Sequence, residues 1–161
     1  MIEFVVVIKI LTCLAAVILS CSIVSRDPGL RINRLMAVVP ALIALWAGGE
    51  LVSNMQPSAA QAELWVRATG GALLLLGPAC LHIFAELAGS RRPMATRLLP
   101  VSYAASSLAV GLHVTIGWGL GAVEPVAWGY AFGLEPKFAV LFATLIAPIA
   151  YVLVCSGSIL P

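Results

Sequence analysis

Long uninterrupted apolar runs separated by short polar gaps dominate this chain. Five runs are long enough to cross roughly 30 Å of hydrocarbon, which takes about 20 helical residues. They cover Ile2–Val24, Leu35–Asn54, Glu63–Leu87, Leu98–Trp118 and Phe138–Cys155. Within each run the apolar residues are continuous and do not alternate with polar ones, which selects helices over a transmembrane barrel. The expected fold is therefore all-α: a polytopic bundle of about five transmembrane helices, forming one domain over residues 1–161.

The gaps differ in character. Ser25–Arg34 carries the turn signal Asp27-Pro28-Gly29, and Ala88–Arg97 carries Gly89 and Pro93. Met55–Ala62 is short and uncharged. Gly119–Lys137 is the longest, rich in glycine and proline yet holding Trp128, Tyr130 and Phe132. It is expected at the outer interface or folded back over the bundle, with Trp65, Trp118 and Trp128 as an aromatic belt.

Charge then orients the bundle. Arg26, Arg31 and Arg34 fall in the first gap, and Arg91, Arg92 and Arg97 in the third. Two apolar runs separate these gaps, so both lie on one side, and the arginine excess marks it as cytoplasmic. The N-terminus is then outside and the C-terminus cytoplasmic. Composition agrees: 61% of residues are hydrophobic and 10% charged, with mean hydropathy +1.06. A soluble domain averages about 25% charged residues. The net charge of +2 is small, and topology accounts for the arginine clusters, so no nucleic-acid partner is expected.

Cys13, Cys21, Cys80 and Cys155 lie in or at the ends of apolar runs, none in a CxxC spacing. Neither a zinc site nor a disulfide framework is suggested. The first run has no basic leader and no Ala-x-Ala site, and is expected to be a retained helix.

Ionisable groups inside spans are costly, so each needs an account. Glu50 lies about 6 Å inside the outer end of the second helix, and Arg67 at a similar depth in the third, taking 1.5 Å per residue. Glu63 is one turn from Arg67. A structural ion pair of Arg67 with Glu50 and Glu63 is the leading reading, and a ligand or proton site the alternative. Lys9 either joins this cluster or snorkels outward. His82 and Glu86 share a helix face, one turn after Pro78, which leaves the Leu74 carbonyl without its helical donor.

His113 is the second candidate cofactor ligand. The two histidines lie about 7 Å and about 22 Å from the cytoplasmic ends of their helices, so they cannot share one haem iron. Singly, each is a candidate contact for haem or a chlorophyll-type pigment, although the leading expectation is that no cofactor binds. No metal site is expected. On the fourth helix Ser107, Gly111 and Thr115 recur every four residues, a spacing that lets helices approach closely. Pro40 and Pro148 are expected to bend the second and fifth helices.

The sequence contains no HExxH, paired catalytic carboxylates, nucleophile elbow or phosphate-binding glycine loop, so no enzyme is expected. Nor does it show the inverted repeat or matched interrupted helices of a transporter.

Two stretches carry a resemblance. RDPGLRINRLMAVVPALIALWAGGELV has Asn33-Arg34 entering a helix, then Trp46 and Glu50. AELWVRATGGALLLLGPACLHIFAEL has Leu64-Trp65-x-Arg67, then Pro78 and Leu81-His82-x-Phe84. With PVAWGYAFGLEPKFAVLF, they resemble the seven-helix membrane domain at the N-terminus of some bacterial histidine kinases. The resemblance implies a multi-pass protein of the bacterial inner membrane with an extracytoplasmic N-terminus. Family members sense signals through the bundle and pass them to cytoplasmic domains. Here five helices replace seven and no kinase follows, so Asn33, Arg34, Trp46, Glu50, Trp65, Arg67, Pro78 and His82 are read as fold determinants.

The leading functional expectation is a non-catalytic accessory subunit, partnered by the bilayer and other membrane subunits, in a photosynthetic or respiratory type of complex. A stand-alone membrane sensor with a cavity near Glu50, Arg67 and the Gly119–Lys137 loop is the alternative. A haem- or pigment-binding subunit is the third reading.

Overall fold

A computed structural model describes residues 2–88, 93–127, 129–134 and 136. Four long helices follow one another: α1 (Ile2–Arg26), α2 (Arg31–Asn54), α3 (Ala59–Ala88) and α4 (Pro93–Ile116). Each contains a stretch long and apolar enough to cross a membrane. The fifth expected helix, Phe138–Cys155, and the bend at Pro148 lie outside the described residues.

Three helices begin earlier than their apolar runs. α2 starts at Arg31 and not Leu35, α3 at Ala59 and not Glu63, and α4 at Pro93 and not Leu98. The polar residues of Arg31–Arg34 continue the helix beyond hydrocarbon, where hydropathy no longer reports it. Proline suits the first position of α4, where no helical donor is required. Ser58 Oγ accepts the Gln61 amide at 3.4 Å, capping the start of α3.

The Asp27-Pro28-Gly29 turn forms as expected. Asp27 Oδ1 accepts the Gly29 amide at 3.0 Å, and Asn33 Nδ2 donates to the Asp27 carbonyl at 3.1 Å. At the other end of the bundle α4 stops at Ile116, not Trp118, because Gly117 turns left-handed with φ 66°.

The helices pack in sequence, α1 on α2, α2 on α3 and α3 on α4. Membrane-span burial is 6% for α1, 22% for α2, 44% for α3 and 17% for α4, so α3 is the central element. Its buried residues include Ala62, Val66, Thr69, Leu74, Pro78, Leu81 and Ala85, one helical face at a period near 3.6. Hydroxyl and thiol groups join α1 to α2: Ser20 Oγ donates to the Ala37 carbonyl at 2.9 Å, and Cys13 Sγ to that of Ala44 at 3.6 Å.

Glycine sets the closest helix approaches. A Cβ at Gly49 of α2 would overlap the Thr69 side chain of α3. One at Gly70 of α3 would stand 2.6 Å from Nε2 of His113 on α4. A missing side chain on α2 (Gly49) and another on α3 (Gly70) therefore let α2 and α4 press against α3 at the same level. In lipid, where water does not drive helices together, such close packing supplies much of the association.

The loop after α4 departs from an all-α fold. Leu120–Val126 (β1) and Gly129–Leu134 (β2) pair antiparallel, with partners Val123–Phe132, Glu124–Ala131 and Pro125–Tyr130 and an irregularity between Leu120 and Val123. Pro125 is tolerated because a two-stranded ribbon consists of edges, where one lost donor breaks no inner ladder. The hairpin folds back over the bundle, as one of the two sequence expectations had it. β1 meets α3 and β2 meets α2, and the Tyr130 hydroxyl donates to the Pro57 carbonyl at 3.5 Å.

Candidate functional site

The polar residues within the spans gather at two levels. Near the hairpin end, Lys9 Nζ of α1 lies 3.2 Å from Glu50 Oε2 of α2. Their side chains are 22% and 18% exposed, so this is a mostly enclosed ion pair. Arg67 pairs with Glu63 one turn earlier on α3. The expected link between Arg67 and Glu50 is thus corrected: Glu50 turns toward α1, while Arg67 reaches toward the end of α4. Gly117 lies there, and a Cβ on it would stand 2.9 Å from the guanidinium nitrogens. The left-handed glycine therefore both ends α4 and makes room for Arg67.

His113 is buried at 1% exposure on the same level. Its Nδ1–H donates to the Trp118 carbonyl at 3.0 Å, tying the α4 terminus to its own last turn. Nε2 faces the backbone of Gly70. Both ring nitrogens are thereby enclosed by protein, a placement suited to fixing the helix end.

The second level lies at the arginine-rich end. His82 of α3 stands between α2 and α4, with Nε2 3.2 Å from Arg31 Nη2 and Nδ1 3.2 Å from the Tyr103 hydroxyl. A guanidinium only donates. Nε2 therefore accepts from Arg31, leaving Nδ1–H to donate to Tyr103. The His82 and Tyr103 rings meet edge to face, with centroids 5.9 Å apart. Arg31 also reaches Glu86, at 3.6 Å. One imidazole thus fixes three helices and holds a single tautomer.

The two histidines occupy opposite ends of the bundle, consistent with the unequal depths read from their helices. Among the described residues no three His, Cys, Asp or Glu side chains converge as a metal site.

Ser107, Gly111 and Thr115 are exposed on α4. Instead α4 packs through Ser106, Ala109 and His113, all buried. The expected close-packing face is real in sequence but points outward among the described elements.

The sequence reading missed Tyr103 as a partner of His82 and used Arg31 only as a topological marker. Matching depths across the short connection between α3 and α4 could have suggested Tyr103. The rotation of α4 that brings its hydroxyl to the ring has no signature in the sequence.

A shallow cleft of about 250 Å³ is lined by Ala60, Glu63, Leu64 and Arg67. Another of about 390 Å³ lies on the hairpin, against Ala122, Glu124, Ala131 and Phe132. Glu50 lines neither of these two clefts.

No family model, curated protein or solved structure matches the chain.

Proposed function

We propose that this protein is a non-catalytic integral membrane subunit that packs within a larger assembly through the outer face of α4. The observation that carries the reading is the outward position of Ser107, Gly111 and Thr115, opposite the α4 face that packs on α3. A Cβ at Gly111 would have no atom within 4 Å. Small residues at this spacing permit a partner helix to approach with backbone-to-backbone contact.

The polar residues support the same reading from the inside. Lys9 with Glu50 and His82 with Arg31 and Tyr103 join neighbouring helices, while Arg67 with Glu63 pairs within α3. Descent from a histidine-kinase sensor bundle fits this use. The matched residues Asn33, Glu50, Arg67 and His82 all make structural contacts, and the arginine-rich end would face a bacterial cytoplasm.

The test is Gly111→Leu. A bulky side chain on an exposed face leaves the bundle's own packing intact, so the unfolding temperature is expected to hold within a few degrees. Co-purification of partner subunits after mild detergent extraction is expected to fall at least tenfold, about 1.4 kcal/mol of interface. Unchanged recovery of partners from the Gly111→Leu membrane would overturn the assignment of this face.

The cleft beside Glu63 and Arg67 favours one second reading, a stand-alone sensor for a small anion or zwitterion. Recovery of a lone protein with such a molecule bound at Arg67 would choose it over the subunit reading.

A further inference from the structure

At the arginine-rich end an apolar groove of about 330 Å³ runs between three helices. Leu19 and Ile23 of α1, Val39 and Pro40 of α2, and Ile83 and Phe84 of α3 line it. It exists because α1 and α3 each pack chiefly on α2. Met36, Val39 and the compact Pro40 ring form its α2 side, and a furrow remains open on the outer face of the bundle.

A cation stands at its mouth. Arg26 is the last residue of α1, three residues after Ile23 and therefore on the same side of the helix. Helical side chains lean toward the N-terminus, so Arg26 leans toward the turn that carries Ile23. It is exposed, and among the described residues it forms no ion pair. Two neighbouring charges are engaged, while Arg34 is also exposed and in no ion pair among the described residues. Arg31 is held by Glu86 and His82, and Asp27 accepts the Gly29 amide within its turn.

We infer that this groove binds one anionic phospholipid, its acyl chain lying along Ile23, Val39 and Ile83 and its phosphate on Arg26. Apolar floor and free guanidinium are arranged as an amphiphile requires, chain toward the bilayer centre and charge at the surface. A planar guanidinium matches two phosphate oxygens at once. Basic residues at this depth also gain from an anionic leaflet. A zwitterionic lipid could fill the same groove but would offer Arg26 no net charge. The site is independent of the α4 face and goes beyond the subunit assignment.

Native mass spectrometry of the full chain, released from micelles containing phosphatidylglycerol or phosphatidylcholine of equal chain length, tests this. The expected result is one retained phosphatidylglycerol, preferred about fivefold over phosphatidylcholine, the scale of one basic residue at a membrane surface. Arg26→Gln is expected to abolish the preference while leaving the unfolding temperature unchanged, because the residue is exposed. Val39→Trp, which fills the groove, is expected to remove retention of both lipids. Equal retention of the two lipids, or a preference that survives Arg26→Gln, would overturn the site. Should Val39→Trp remain folded and still retain phosphatidylglycerol, the groove is not where the chain lies.

Discussion

Replacing Gly49 with alanine is expected to destabilise the bundle by about 1–3 kcal/mol, the usual cost of forcing extra volume into a packed interface. The added methyl meets the Thr69 side chain, which cannot simply turn away. Thr69 is buried, and its hydroxyl donates to the Trp65 carbonyl at 2.8 Å. Turning it would strand that hydroxyl inside the bundle, so α2 and α3 must separate instead. Thermal unfolding in detergent reads the effect directly. Combining the change with Thr69→Ala is expected to restore much of the loss, since the small residue reopens the space. Equal instability of single and double variants would mean that the added methyl does not act through Thr69, since alanine's higher helix propensity would stabilise α2.

Lys9→Met is expected to have a comparable or larger effect, for an electrostatic reason. It leaves Glu50 without its cation inside a membrane span. Breaking a fully buried ion pair from one side costs about 3–5 kcal/mol. The roughly one-fifth exposure of both side chains, which lets water and headgroups screen the remaining charge, reduces this to about 2–3 kcal/mol. Removing both charges, Lys9→Met with Glu50→Leu, is expected to recover most of the stability, because an apolar pair carries no desolvation penalty. The same unfolding assay distinguishes the cases. If the double variant is no more stable than Lys9→Met, Glu50 is satisfied by something other than Lys9.

These two residues also mark how far the sequence could be read. Depth was legible: a rise of 1.5 Å per residue places Lys9, Glu50 and Arg67 near one end of the bundle. Azimuth was not. Glu50 could face either neighbour of α2, and packing alone turns it toward α1, leaving Arg67 to its own helix and the space beside Gly117. The same limit applies to α4. Its small-residue stripe was visible, but Ser106, Ala109 and His113 form a second, equally credible face, and that one meets α3.

Helix existence came through clearly because continuous apolar runs have few alternatives in lipid. Helix starts did not, since Arg31–Arg34 is helical yet too polar for hydropathy to register. The hairpin was concealed by Pro125 and by the glycines of β1 and β2, which weaken any strand pattern. Nothing in the sequence signalled that Tyr130 of the hairpin would reach the Pro57 carbonyl in the α2–α3 connection.

The subunit assignment is tested most directly by the mass of the native particle. The protein should be extracted from its own membrane in the mildest detergent that releases it. Size-exclusion chromatography with light scattering then gives the protein mass of the particle carrying this chain. The account predicts elution within an assembly several times heavier than the 161-residue chain, with partner subunits in fixed stoichiometry. A single monodisperse chain, stable and without partners, would contradict it.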